Sequence, residues 1–204
     1  MGEKKLSDHY YSKQPHSQMK TDTIQVTLRH NDYTFTTGTG VFSKRRIDFG
    51  TKLLIESFQP PTIDGPFLDL GCGYGPIGIV LASMFSNRMI TMVDINERAI
   101  ELTKQNITIN LIENARAYMS DGLANVAERN FAAIITNPPI RVGKKIVYSL
   151  LESSYDHLQE GGQLWVVIQK KQGAPSMKTF LATLFKSVAT VERQKGYHII
   201  CATK

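Results

Sequence analysis

"FLDLGCGYGPIG", residues 67–78, decides the fold. A short apolar strand runs into a glycine-rich loop, and an apolar helical run, "PIGIVLASMF", starts at Pro76. A strand that feeds a helix through glycines is the opening unit of an open α/β sheet, where ligands bind at the carboxyl ends of the strands. The loop can be read in two registers. Counted from Gly73, G-Y-G-P-I-G matches the dinucleotide fingerprint G-x-G-x-x-G. Counted from Gly71, it is G-C-G-Y-G with Asp69 just ahead of it. A plainer reading gives the glycines only a tight strand-to-helix turn.

Downstream, strand-like runs at 89–94, 115–120, 131–136 and 163–169 alternate with helical runs through 96–110, 145–158 and 174–185. The helix through 145–158 is expected to end near Gly161-Gly162. Two final strands, 187–193 and 197–203, are separated only by "QKG" and must be antiparallel. The pattern predicts an α/β protein with a mostly parallel seven-stranded sheet, an antiparallel C-terminal strand pair and helices on both faces. Upstream, "TIQVTLRHNDYTFTT" (23–37) alternates apolar and polar residues around "HND", which predicts an N-terminal β-hairpin. "FGTKLLIESF" has helical spacing, with Asp48 as cap and Pro60-Pro61 as stop. Residues 1–22 are polar and aperiodic, so a loosely ordered arm is expected there, with 23–204 forming a single domain.

At 204 residues with 42% hydrophobic content, the chain is long enough for one substantial core. Cys72 and Cys201 form no metal-ligand spacing and are too few for a disulfide framework, so a reducing cytoplasmic setting without a metal is expected. No run approaches the ~18 apolar residues of a membrane span, and no membrane partner is expected. A net charge of +6 favours an anionic partner.

Three features weigh against a dinucleotide at the glycine loop. Asp69 would repel a pyrophosphate, whereas it would attract an ammonium group. Pro76, at the first helical position, removes one of the N–H groups that hold phosphates there. Asp94, closing the strand in "MVDIN", suits ribose hydroxyls but fits either cofactor. A ligand with a ribose, a cationic end and no phosphate satisfies all three, and S-adenosyl-L-methionine is such a molecule. Gly71, Cys72, Gly73 and Gly75 would then approach its methionine and ribose parts, with Asp69 near the ammonium and Ile95 beside Asp94. Asp121 in "SDGL", with Gly122, would meet the adenine amino group, or would only cap a turn.

The second chemical signal is "TNPPIRVGKK", after the fourth strand of the alternating series. Pro138 and Pro139 stiffen the loop, and Asn137 offers one acceptor and two donors. The Asn137 oxygen and the Pro138 carbonyl can together accept both hydrogens of a planar –NH₂ group, aiming its lone pair at an activated methyl. Alignment alone then supplies much of the acceleration, with no strong base or metal. The alternative is a rigid surface turn. His9, His16, His30, His157 and His198 lie in unrelated contexts and are assigned no chemistry.

In order and spacing, "FLDLGCGYGPIG", "MVDIN" and "TNPPI" resemble class I S-adenosylmethionine-dependent methyltransferases of the amino-methylating N-P-P-[YFW] type. "GTGVFSKRRIDFGTKLLIES" and "KGYHII" narrow the likeness to the RsmC-like small-subunit ribosomal RNA guanine-N2 methyltransferases (MTS domain). The resemblance spans residues 23–204. It implies a Rossmann-like class I methyltransferase fold and a catalytic set of Asn137, Pro138, Pro139 and Ile140. It also implies a substrate contact at Phe42. The sequence departs from the family in two ways. Well-characterised members carry an additional N-terminal domain, so this chain is expected to act as a stand-alone catalytic domain. Ile140 stands where the family has an aromatic that stacks on the target base.

Basic residues cluster at Lys44-Arg45-Arg46, at Arg141 with Lys144-Lys145, and at Lys170-Lys171. The last two groups leave carboxyl ends of strands and should share one rim, which suits the phosphates of RNA, either ribosomal RNA or a ribosomal particle. Each group taken singly reads equally as a solubility feature. Three alternatives stay in view: a protein glutamine-amide methyltransferase using the same N-P-P loop, an NAD-dependent oxidoreductase, and a non-catalytic RNA-binding module.

Overall fold

The computed structural model describes residues 20–41 and 46–204. The expected arm therefore lies outside the described residues up to position 19. So do Phe42, Lys44 and Arg45. The alternating series forms a seven-stranded sheet in the order β5-β4-β3-β6-β7-β9-β8. Here β3 is Phe67–Leu70, β4 Ile90–Asp94, β5 Ala115–Met119, β6 Phe131–Thr136, β7 Leu158–Gln169, β8 Ser187–Gln194 and β9 Tyr197–Thr203. Strands β3 to β7 pair in parallel, and β9 runs antiparallel to both β7 and β8. The topology switches between β3 and β6, beside the glycine loop. The expected fold class is what the chain adopts.

Residues alternate between two cores along the strands, as a sheet covered on both faces requires. Phe67, Ile135, Trp165 and Val167 join one cluster, while Leu68, Ile134, Leu164 and Val166 join the other. The first cluster lies under α1 (Phe49–Ser57), α2 (Pro76–Met84) and α3 (Glu97–Ile109). The second lies under α4 (Lys144–His157) and α5 (Ala174–Leu181). Phe58 anchors the first cluster, meeting Phe67 and Trp165 edge-on at ring-centroid distances of 5.6 and 5.2 Å.

The sequence expectation needs adjusting in two places. Helix α4 stops at His157, and β7 begins at once, because Leu158 already pairs with Phe131. The register then jumps to Ala133 opposite Gln163, so residues 159–162 bulge out. Gly161 and Gly162 serve that bulge and do not end the helix. A Cβ on Gly162 would lie 2.9 Å from the Phe131 carbonyl oxygen. The hairpin also differs: β1 (Thr21–Leu28) starts two residues early, and its turn is Arg29-His30, both with positive φ. Arg29 donates from Nε to the Ile55 carbonyl at 2.9 Å and from Nη2 to the Phe58 carbonyl, placing a cation at the C-terminal end of α1.

The hairpin is held on its other side by a device invisible in the hydrophobic pattern. Asn106 on α3 and Asn110, the C-cap one turn later, present their amides to the outer edge of β2 (Asn31–Gly38). Asn106 accepts from Thr36 N–H at 2.7 Å and donates to Thr36 O at 2.9 Å. Asn110 does the same at Thr34, at 3.0 and 2.8 Å. Two side-chain amides thus act as a surrogate strand, satisfying an edge that would otherwise be open. Asn106 also donates to the Tyr74 carbonyl at 2.8 Å, tying the hairpin to the glycine loop.

Asn106 is fully buried, so Asn106→Ala strands three backbone groups at once. It should lower unfolding stability by roughly 2–4 kcal/mol, read as a fall in the urea midpoint with unchanged slope.

Candidate active site

The carboxyl ends of β3, β4, β5 and β6 converge on one cleft of about 290 Å³. Its walls include Gly71, Asp94, Ile95, Asp121, Gly122, Asn137, Pro138 and Pro139, all named from the sequence. Val93, Val142, Ile146 and Leu150 give it an apolar side, and Ser120 and Thr136 add hydroxyls. Among the described residues, the lining carries two carboxylates and no basic side chain. No group of three or more candidate metal ligands occurs among them, and no helix is long and apolar enough to cross a membrane.

Asp94 shapes this cleft. Its Oδ2 accepts from Gly73 N–H and its Oδ1 from Asn96 N–H, both at 2.9 Å. Burial pushes its carboxyl above the ordinary range, and N–H groups from Asn96, Gly73 and Ile95 pull it back. The end of β4 therefore fixes the loop that follows β3.

Asp69 sits deeper, fully buried and off the cleft wall. Its Oδ2 accepts from Gly78 N–H in the first turn of α2 at 2.9 Å, while Oδ1 has no hydrogen-bond partner. An internal carboxylate thus already occupies the helix N-terminus that would hold a pyrophosphate in a dinucleotide fold. Burial raises the Asp69 carboxyl to about 7, against the lowering effect of Gly78 N–H and with a further raise from Asp94.

Four other expected positions also fall away from the wall. Cys72 turns inward, its Sγ 3.7 Å from Thr103 Oγ1, and burial pushes its thiol well above the usual range. Gly73 contributes its N–H to Asp94. Gly75 caps α2 in the left-handed region (φ 93°), where a Cβ would crowd Ile79 and Thr103. Ile140 packs against the core on the α4 side. Gly71, by contrast, has φ 76° with open space where a Cβ would stand, so its backbone is bared to the cleft.

Asn137 is held in one orientation by residues far away in sequence. Its Nδ2 donates to Thr51 Oγ1 at 2.9 Å and to Asp48 Oδ1 at 3.4 Å. Asp48 is also the N-cap of α1, accepting from Thr51 N–H at 3.1 Å. With both amide hydrogens directed at α1, Oδ1 is left as the acceptor. Pro138 O accepts from Ile140 N–H at 2.9 Å, which leaves that carbonyl one further lone pair. Thr51 is the site residue that sequence reading missed, and the Asp48 cap was its one visible signal. Arg141, Lys144 and Lys145 follow β6, and Lys170 and Lys171 follow β7. All five are exposed on the edge where the cleft opens. His157 bonds the carbonyls of Ser153 and Val126 and is structural.

The methyltransferase small domain family (MTS) matches residues 32–201. An uncharacterized Bacillus subtilis protein, YbxB, is 52% identical over 200 residues, covering 98% of this chain and 100% of the relative. The ribosomal RNA small subunit methyltransferase C of Haemophilus influenzae is 35% identical over 160 residues, covering 75% of this chain but 47% of its own length. The chain thus spans about half of that enzyme. The 16S rRNA N2 methyltransferase RsmC of T. thermophilus, solved with AdoMet and guanosine, superposes with a TM-score of 0.80 at 25% identity, over 94% of this chain and 52% of that one.

The Asp69 carboxyl is protonated longer in the native state (about 7) than in the unfolded chain (about 3.8). Its contribution to stability is full below pH 3.8 and is lost as pH rises through 7. Asp69→Asn cannot ionise, so its stability relative to wild type should rise by up to about 4 kcal/mol between pH 4 and 8. Denaturant melts of both proteins across that range would read this out. A constant gap would mean that Asp69 stays ionised.

Proposed function

Because the chain belongs to the methyltransferase small domain family, we propose that it is an S-adenosyl-L-methionine-dependent N-methyltransferase acting on the exocyclic N2 amine of a guanine in small-subunit ribosomal RNA. The observation that carries this reading is the clamped Asn137 amide. Its donors are spent on Thr51 and Asp48, so Oδ1 is left as an acceptor on a residue that lines the cleft, next to Pro138, whose carbonyl keeps one lone pair. Two acceptors on a stiff loop suit the two hydrogens of a planar amine.

The cleft fits the proposed cofactor. Among the described residues, two carboxylates and no cation in the lining suit hydroxyls, an amino group and a positive centre, and they disfavour phosphate. The bared Gly71 backbone allows close approach. Asp94 retains lone pairs for a ribose, and the side formed by Val142, Ile146 and Leu150 suits an adenine face with Asp121 at its edge. When bound, S-adenosyl-L-methionine supplies a methyl group already activated on a sulfonium.

The residues of the chain then need only position and desolvate. Asn137 and Pro138 orient the amine and keep its lone pair directed inward, and Pro139 holds the loop still. Developing positive charge on the amine is stabilised by the Asn137 oxygen and the carboxylates of the cleft. Among the described residues the cleft lining carries no basic side chain, and the proton passes to solvent. The relatives named as ribosomal RNA methyltransferases and the basic residues around the rim support an RNA substrate.

Asn137→Ala should reduce methyl transfer roughly 100-fold or more while cofactor affinity changes only a few-fold. Thr51→Val releases the amide without touching the cleft lining and should lower kcat roughly 10- to 100-fold. Calorimetry with the cofactor and single-turnover assays separate the two effects. The substrate itself is tested by mass spectrometry of ribosomal RNA nucleosides from cells with and without the protein. One N2-methylguanosine should disappear and return with wild type but not with Asn137→Ala. If no nucleoside changes and label enters a protein fraction, the amide-methylating alternative takes its place.

A further inference from the structure

The cleft accounts for one base and one cofactor, but a second depression on the same edge is unaccounted for. It lies between the end of β7 and the β8–β9 turn and is lined by Gln169, Lys170, Lys171, Lys195 and Gly196. Lys170 N–H bonds Gly196 O at 2.8 Å, which brings the two segments together. All three lysines are exposed, and among the described residues none forms a salt bridge. The positive field is felt nearby. Burial lowers the His198 imidazole, and the charges of Arg193 and Lys170 lower it further.

Two aromatic rings link residues of the depression to the N-terminal end of α1. Phe49 immediately follows Asp48, the residue that helps hold Asn137. Its ring lies 5.4 Å from that of Tyr197, and Lys195 Nζ stands 4.8 Å over the Phe49 ring. Gln169 Nε2 donates to Tyr197 Oη at 2.6 Å, and Gly50 is close enough that a Cβ there would lie 2.8 Å from the Tyr197 ring. Both rings are half-buried. Lys195 itself is left-handed (φ 48°), a conformation that asparagine or glycine adopts more readily.

The geometry points to a second substrate subsite, in which Lys170, Lys171 and Lys195 bind the phosphodiester backbone of the RNA strand flanking the target base, beside the Phe49–Tyr197 ring pair. This rests on the RNA reading above. Exposed ammonium groups without carboxylate partners lose little on meeting phosphate, and each displaced counterion makes binding steeper in salt. Through Phe49 and Asp48, the same contact bears on the helix cap that orients Asn137, so strand binding and amine positioning meet on one element.

The test is the triple variant Lys170→Gln, Lys171→Gln, Lys195→Asn in the full chain. Asparagine fits the left-handed turn, so folding is preserved, which a thermal melt checks. Binding of a single-stranded oligoribonucleotide carrying the mapped guanine is followed by fluorescence anisotropy from 50 to 300 mM salt. Affinity should fall roughly 10- to 100-fold at the lowest salt, and the slope of log K against log salt should become shallower by about 2. S-adenosyl-L-methionine affinity should stay within twofold. Unchanged RNA affinity and slope in a variant whose wild-type parent methylates RNA would overturn the subsite alone. A wild-type protein that neither binds nor methylates RNA would overturn the substrate reading and the subsite with it.

Discussion

The clasp of the Asp94 carboxylate on Gly73 N–H is the constraint from which the rest of the site follows. A glycine loop is free to take many shapes, and the low dielectric around a buried carboxylate makes its hydrogen bonds costly to leave unmade. The end of β4 therefore dictates how the chain turns after β3, and Asp69 repeats the device one strand over by holding Gly78 at the start of α2. Two acids that look available for a ligand are first used to fix backbone. What they leave is a cleft with negative potential and a bared Gly71.

Two sign-separated regions share the carboxyl edge of the sheet. Among the described residues, the charged side chains inside the cleft are acidic, whereas along the rim Arg141, Lys144, Lys145, Lys170 and Lys171 are basic. Phosphate is repelled from the interior and attracted to the exterior. A cationic cofactor experiences the reverse. Such a division favours a cation in the interior and a polyanion at the mouth.

Elements far apart in sequence meet at Asn137. Helix α1 arrives there because Arg29 binds its C-terminal carbonyls and the hairpin is fastened to α3 by Asn106 and Asn110. Its N-cap, Asp48, then reaches the loop after β6. A helix cap worth about 1 kcal/mol in its own right also serves to orient an amide 89 residues away. The N-terminal hairpin is thus mechanically linked to the Asn137 loop as well as decorating the sheet.

The sequence by itself determined the architecture, because hydrophobic period, glycine turns and caps are local properties. The β–α alternation, the cap at Asp48, the proline start of α2 and the antiparallel closing pair could all be read directly. It also placed Gly71, Asp94, Asp121 and Asn137 at one edge, since parallel topology puts every strand's carboxyl end there. Only the tertiary structure decided which of these face the cleft. Asp69, Cys72, Gly73, Gly75 and Ile140 belong to the same motifs yet point into packing or hold backbone. Side-chain direction at a loop depends on partners from other strands, and no local pattern records those. The same holds for the clamp of Thr51 and Asp48 on Asn137 and for the approach of Lys195 to Lys170. A hydrogen bond between residues 86 positions apart exists only after the chain has folded.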